Sequence, residues 1–416
     1  MYEVNEERTM AGPLTGIRVL DLTRVLAGPV ATQTLADLGA EVIKVERPGA
    51  GDDTRGWGPP YVKDAQGRDT IETTYFAGAN RGKKSVTVDI TRGEGQELLR
   101  KLAGKCDVFM ENFKAGTLSR YGLAYQQLGR ARQDIVYCSI TGFGQTGPYA
   151  ARPGYDPIAQ ALSGLMSVTG EHEDTPGTVP QRVGVAVIDL ITAHYAVIAV
   201  VSALYHRQAT GRGQYIDMSL LDVGVASMAN IASAYLGAGV IARRNGGVHP
   251  SVVPSQVFLC KDGYVIVAAG NDGQFAKLCE AGGKPELVRD PRFTANSARV
   301  RNRDALGPLL EAMFLQHPVS WWNARLAVAG VPCAPINDIA QVFEDPQVQH
   351  RGLRVEMPDP AAGKAAFVAS PLRLSETHVE YKLPPPLLGE HTQEVLASIL
   401  ELPEEEVGRL RAAAII

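Results

Sequence analysis

Apolar residues in the first third of the chain fall in short runs with helical stretches between them. Residues 16–22 (Gly-Ile-Arg-Val-Leu-Asp-Leu) form a run of strand length. A helical stretch follows over about residues 30–38, and Gly39 is placed to stop it. Residues 41–46 (Glu-Val-Ile-Lys-Val-Glu) read as the next strand. Strand, helix and strand in about 30 residues predict parallel pairing. Residues 84–89, 107–111 and 134–141 read as further strands, with a helix over about 93–102 among them. The pattern predicts a Rossmann-like α/β layout. From about 157 to 236 it turns mostly helical, interrupted by one strand near 214–218. Residues 243–250 read as a loop. Residues 256–261 and 263–269 flank Asp262-Gly263, a hairpin signal. Helical segments then run to about residue 329. Short strands, a proline-rich stretch at 383–386 and two helices complete the chain. The expected organisation is a large α/β part over residues 1–235, a small α+β domain over 245–330, and a further segment over 331–416.

Residues 183–204 are apolar over about one bilayer thickness. They contain Asp189 and His194, and an ionisable group at that depth is costly in lipid. A buried helix of a soluble protein is the expectation, with no membrane partner.

Composition narrows the classes. The chain has 416 residues and 45% hydrophobic content, enough for a large core. A net charge of -4 argues against a nucleic-acid partner. The five cysteines are scattered without metal-ligand spacing, which points to reduced thiols and a cytoplasmic setting. Residues 1–12 are polar and carry no apolar signal core. The eight histidines are dispersed, so no metal is expected.

Gly142-Phe143-Gly144-Gln145-Thr146-Gly147 matches G-x-G-x-x-G, but Pro148 and loop-like sequence follow where a dinucleotide fingerprint must open a helix. NAD is therefore not expected. Basic residues recur after the early strands: Arg24, Arg47, Arg55, Arg81, Lys83, Lys84, Lys114 and Arg120. Ligands of open α/β sheets sit at those strand ends, and arginine forks suit phosphate and carboxylate. Asp189 falls within the first turns of a helix expected to begin near Gly184. The helix dipole there favours an ionised, nucleophilic carboxylate that needs no general base, and the alternative is an aspartate tied into a structural hydrogen-bond network. No G-x-S-x-G, H-E-x-x-H or Walker loop is present.

Several long motifs in fixed order give the chain a family likeness. They include residues 19–29 (Val-Leu-Asp-Leu-Thr-Arg-Val-Leu-Ala-Gly-Pro), 38–46, 51–55 (Gly-Asp-Asp-Thr-Arg), 80–85 (Asn-Arg-Gly-Lys-Lys-Ser), 111–113 (Glu-Asn-Phe) and 386–392 (Pro-Leu-Leu-Gly-Glu-His-Thr). The chain resembles the class III coenzyme A transferases. That resemblance implies a large α/β domain built from both chain ends, with residues 331–416 returning to it, and an interlocked homodimer. It implies coenzyme A or an acyl-CoA as substrate rather than a resident cofactor. Asp189 falls on the family's nucleophile. The CoA-contacting positions fall on Val25, Leu26, Ala27, Arg47, Asn80, Arg81, Lys83, Lys84, Asn112, Phe113, Lys114, Arg120, Gly142, Phe143, Gly144 and Gln145. The family's glycine loop over the active site falls on about residues 245–250, so Gly246, Gly247 and His249 become substrate-binding candidates, with Tyr155. Leu26 stands where formyl-CoA transferase has glutamine, which argues against formate and oxalate. Residues 49–55, 57–60, 137–142 and 384–389 resemble the branch that takes CoA from succinyl-CoA to a short dicarboxylate such as glutarate. Arg55 or Arg81 is the expected holder of the distal carboxylate. The superfamily's 2-methylacyl-CoA racemases carry Gly-His-Asp where this chain reads Gly154-Tyr155-Asp156, and tyrosine is a poor match for imidazole at neutral pH. Racemase and non-catalytic CoA-binding protein are the alternatives.

Overall fold

The computed structural model describes residues 12–416. The chain divides into two compact units. Among the described residues the first takes 12–163, 184–229 and 349–416, so early and late segments both contribute to it. The second takes 164–183 and 230–348, beginning earlier and ending later than the expected 245–330.

The first unit is organised by one six-stranded parallel sheet. Its strands are β1 (Arg18–Asp21), β2 (Glu41–Glu46), β3 (Lys83–Thr87), β4 (Val108–Glu111), β5 (Val136–Thr141) and β6 (Tyr215–Ser219). Their spatial order is β3-β2-β1-β4-β5-β6. The order reverses between β1 and β4, and a crevice opens there beyond the carboxyl ends of the strands. Near-continuous apolar burial in β1, β2, β4 and β5 follows from covering both faces of a parallel sheet.

Three helices matter to the site. Helix α1 (Ala27–Asp37) joins β1 to β2, and α2 (Gly93–Ala103) joins β3 to β4. Helix α3 (Val187–Thr210) packs on α1 and buries Ile188, Thr192, Ala196, Val200 and Ala203 at helical spacing. It begins at Val187, three residues later than the sequence suggests. Helices Thr392–Leu400 and Glu404–Ala412 return to the first unit, where Val395, Leu396 and Leu410 join Leu20, Ile43 and Phe109 in one core.

Helix α3 is apolar and long enough to cross a membrane, and it is the only single helix among the described residues of which that is true. The expected burial holds for one of its faces only. Tyr195, Ile198, Val201 and Tyr205 stand exposed along the other face.

Two hairpins flank the sheet. The first, Tyr61–Lys63 with Asp69–Thr73, was not legible in the sequence, because its strands are short and largely polar. The second pairs Arg354–Asp359 with Gly363–Val368. In the second unit Ser255–Leu259 and Tyr264–Ala268 form the hairpin that Asp262-Gly263 indicates, and Cys333–Pro335 adds a third strand. Its core stacks Phe258 on Phe314 with ring centroids 4.3 Å apart.

Candidate active site

The turn after β1 is the centre of the site. Thr23 to Leu26 carry the chain from β1 to α1, and Val25 sits at φ +72°, a left-handed backbone that β-branched residues rarely adopt. Asn112, just past β4, grips the Arg24 peptide: its Oδ1 accepts from Arg24 N at 2.9 Å and its Nδ2 donates to Arg24 O at 2.7 Å. Helix α1 then starts with no side-chain cap. Among the described residues, the N–H groups of Leu26 and Ala27 find no acceptor. Unpaired amides at a helix start form a ready oxyanion or anion site.

These amides border a cavity of about 240 Å³. Val25, Leu26 and Ala27 line one part of it, Gly142, Gly154 and Tyr155 another, and Asp189 opens into it. Arg24, Lys114 and Arg152 supply positive charge. A Cβ on Gly142 would stand 2.6 Å from Gly154 Cα, so this wall needs glycine at both positions. No histidine lines this cavity among the described residues, and Tyr155 is part of its wall.

A second cavity, about 230 Å³, lies beyond the ends of β1, β2 and β3. Arg47, Asp89, Thr91, Phe113 and Tyr121 line it, and it shares Arg24, Asp53 and Phe113 with the first.

Asp189 is the third residue of α3, but the dipole does not dominate its ionisation. Asp156 Oδ1 already accepts from Ile188 N at 2.8 Å and from Asp189 N at 3.2 Å. A carboxylate thus occupies the positive end of the helix. Burial first, and the charge of Asp156 second, push the Asp189 carboxyl up to about 7. Burial and Asp156 thus oppose the helix dipole that was expected to keep Asp189 ionised near neutral pH. Glu111, beneath Phe113, is also pushed up to about 7 by burial, against hydrogen bonds from Ser139 and the Phe113 amide.

The structure does not bring every expected contact residue to the cavities. Arg81 is 4% exposed, and its guanidinium forks onto Asp37 at 3.0 and 2.5 Å and donates to Val368 O. Lys83 is fully buried and held by Asp21, Pro29 O and Asn80 Oδ1. Asn80 turns its amide to Phe76 O. Lys84 pairs with Glu41 and Glu394. Arg55 forks onto Glu46 at 2.7 and 2.8 Å and stacks over Phe76. The guanidinium groups of Arg55 and Arg81 are thus already committed to internal carboxylates, which gives their expected roles as carboxylate holders no support in this chain. Arg120 lines neither cavity. Gly142 borders the first cavity. Gly144 N bonds Thr141 Oγ1, and Gln145 bonds Asp217 and Ser139, with Phe143 against Tyr149. Gly246, Gly247 and His249 lie on an exposed loop of the second unit, where His249 Nδ1 accepts from Ser251 N.

The sequence reading missed Asp156 as the cap of α3 and Arg152 as a cavity cation. Arg152 has no carboxylate partner among the described residues and stacks over Tyr149, 3.8 Å from the ring centroid. Its place three residues before Tyr155 was the available signal. The cysteines are all free, and no group of metal-ligating side chains occurs among the described residues.

Comparison with known proteins identifies the family. The chain is 45% identical over 404 residues to a mouse succinyl-CoA:glutarate CoA-transferase, covering 97% of this chain and 90% of that protein. It is 45% identical over 392 residues to a succinate–glutarate CoA-transferase of Agrobacterium fabrum, covering 93% and 96%. A crystal structure of a CAIB/BAIF family protein from Brucella suis superposes with a TM-score of 0.83 at 46% identity, covering 94% of this chain and 100% of that one. The profile of CoA-transferase family III matches residues 14–392, and the chain belongs to that family.

Proposed function

We propose that this enzyme moves CoA from succinyl-CoA to glutarate, with Asp189 as the covalent carrier. The carrying observation is that the Asp189 carboxyl opens into the same cavity as the unpaired Leu26 and Ala27 amides. A carboxylate with little water to shed is a good nucleophile, and preorganised amides stabilise the oxyanion that its attack creates. The acceptor follows from the two relatives' names.

An Asp189 oxygen attacks the succinyl-CoA carbonyl carbon. The C–S bond breaks and the thiolate leaves with its electron pair, giving a succinyl–aspartyl anhydride. The thiolate then attacks the aspartyl carbonyl and expels succinate, giving an Asp189–CoA thioester. A glutarate oxygen displaces the thiolate from that thioester. The thiolate attacks the glutaryl carbonyl, releasing glutaryl-CoA and free Asp189. No net proton moves. The tetrahedral oxyanions fall to the Leu26 and Ala27 amides. The dicarboxylate's distal charge falls to Arg152, the cavity guanidinium without a carboxylate partner among the described residues. The nucleotide end of CoA takes the second cavity, against Arg47, Phe113 and Tyr121.

The exposed stripe of Tyr195, Ile198, Val201 and Tyr205 on α3 supports the homodimer, because a row of large apolar side chains on one helix face calls for a partner.

The test is mass spectrometry of enzyme mixed with succinyl-CoA alone. A CoA adduct on the peptide carrying Asp189, lost in Asp189→Asn together with transfer, is expected. Full transfer by Asp189→Asn overturns the reading.

A further inference from the structure

We propose that the buried Lys44–Asp52 ion pair is a positioning device that holds Val25 in its left-handed conformation and so aims the Leu26 and Ala27 amides at the reacting carbonyl. The proposal rests on reading those amides as the oxyanion site.

Three contacts from the turn converge on this pair. Both oxygens of Asp52 accept from Val25 N, at 3.2 and 3.3 Å. Lys44 Nζ donates to Thr23 O at 2.8 Å and to Asp52 Oδ2 at 2.9 Å. The two side chains are 0% exposed. Asp52 is itself fixed, since Oδ1 accepts from Thr54 N at 3.0 Å and from Thr54 Oγ1 at 2.8 Å, while Asp52 N donates to Glu46 Oε2. The strained peptide is thus pulled from below by a carboxylate that cannot swing away.

Two physical points separate this from ordinary core packing. A fully buried ion pair is weak evidence for stability, because desolvation offsets most of the attraction. A β-branched residue at φ +72° is a conformation the chain does not choose unaided, and strain of this kind gathers where geometry matters for function. The Val25 N–H is occupied by Asp52, so the free donors of the turn are those of the next two residues. Rotation of the Val25 peptide out of the left-handed region moves both.

Lys44 and Asp52 touch no reacting atom; their role passes through the Val25 backbone. Glycine adopts a positive φ without strain, so Val25→Gly removes the need for the pull. The test is a cycle on the full-length enzyme between Val25→Gly and the charge-free pair Lys44→Met/Asp52→Asn, measured as kcat and KM for succinyl-CoA with glutarate and as Tm. In the wild-type background the charge-free pair is expected to lower kcat about 100-fold with KM little changed, as misplaced oxyanion donors do. In the Val25→Gly background the same change is expected to lower kcat less than about tenfold, the rescue reporting on the turn. Equal losses in both backgrounds, or no loss in either, overturn the proposal. Should the charge-free pair fold only together with Val25→Gly, that rescue supports it; failure to fold in both backgrounds marks a general folding element and overturns it. A wild-type enzyme that moves no CoA ends the proposed function instead, and the Tm cycle still reads the coupling.

Discussion

Asp156 grips the backbone of Asp189 and repels its side chain. Asp156 Oδ1 accepts the Asp189 N–H at 3.2 Å, while its charge adds to burial in pushing the Asp189 carboxyl up to about 7. The same carboxylate therefore sets both the position and the ionisation of the nucleophile. Asp156 is itself buried, and Gln160 Nε2 donates to its Oδ2 at 2.6 Å, so it cannot turn toward solvent.

A pH dependence follows. The ionised form of Asp189 is the nucleophile, so kcat/KM for succinyl-CoA is expected to rise with pH through a midpoint near 7. Asp156→Asn keeps an oxygen to cap α3 but removes the charge, so the midpoint should fall. Rate–pH profiles of both enzymes measure this, and an unmoved midpoint in Asp156→Asn contradicts the electrostatic role.

The same shift has a consequence for stability. The folded carboxyl titrates near 7, above its ordinary value of 3.8. Below the ordinary value both folded and unfolded chains hold the proton, and Asp189 is neutral in its effect. Between the two values the unfolded chain ionises more readily, so wild-type stability declines as pH rises and levels off above about 7. Asp189→Asn carries no such penalty. Its Tm advantage over wild type is expected to be small at pH 4 and largest at pH 8. An equal difference at both pH values would show that burial does not raise this carboxyl.

Acceptor choice tests the cavity cations separately. Arg55 and Arg81 are forked onto Glu46 and Asp37, whereas Arg152 lines the Asp189 cavity without a carboxylate partner among the described residues. Arg152→Met is expected to reduce kcat/KM for glutarate by 10-fold to about 100-fold, the scale of one charge-assisted pair. The value for butyrate should change little. Arg55→Met should cost stability before selectivity. Equal losses on the two acceptors would remove Arg152 as the distal contact.

The parallel sheet was legible because its strands are continuous apolar runs whose burial leaves little choice of face. Helix α3 was legible as an apolar run of helical length, whereas the residues alone left Asp189 open between a structural and a nucleophilic carboxylate, and only the family resemblance pointed to the second. The strand-end cations misled. Arg81, Lys83 and Lys84 carry the composition of a phosphate site, yet each meets an internal carboxylate from a distant segment, Asp37, Asp21 and Glu41. Sequence spacing does not reveal which charges the fold brings together. Arg152 and Asp156 failed in the opposite sense. They sit in loop-like sequence next to Pro153 and Gly154, and their importance comes from contacts 33 residues away at Asp189 and across the cavity wall.

The two hairpins beside the sheet meet through a pair of carboxyl groups. Glu72 in the first and Asp359 in the second are each 4% exposed. Asp359 Oδ1 accepts from Ala361 N and Ala362 N, while Asp359 Oδ2 and both Glu72 oxygens find no donor among the described residues. Burial, and then the charge of Asp359, push Glu72 up to about 8; Arg55 opposes this and Glu390 reinforces it. A proton held on Glu72 and donated to Asp359 accounts for the pairing, as in other carboxyl pairs that cannot both ionise. Because the folded value lies above the ordinary 4.5, the contact is intact at low pH and is lost as pH rises through about 8. Glu72→Gln supplies an amide donor that does not titrate. Its Tm is expected to match wild type near pH 4, to exceed it progressively as pH rises, and to keep its full advantage at pH 9, with hydrogen exchange of residues 354–368 slowed at the higher pH. A wild-type Tm that falls no faster than that of Glu72→Gln between those pH values would exclude the shared proton.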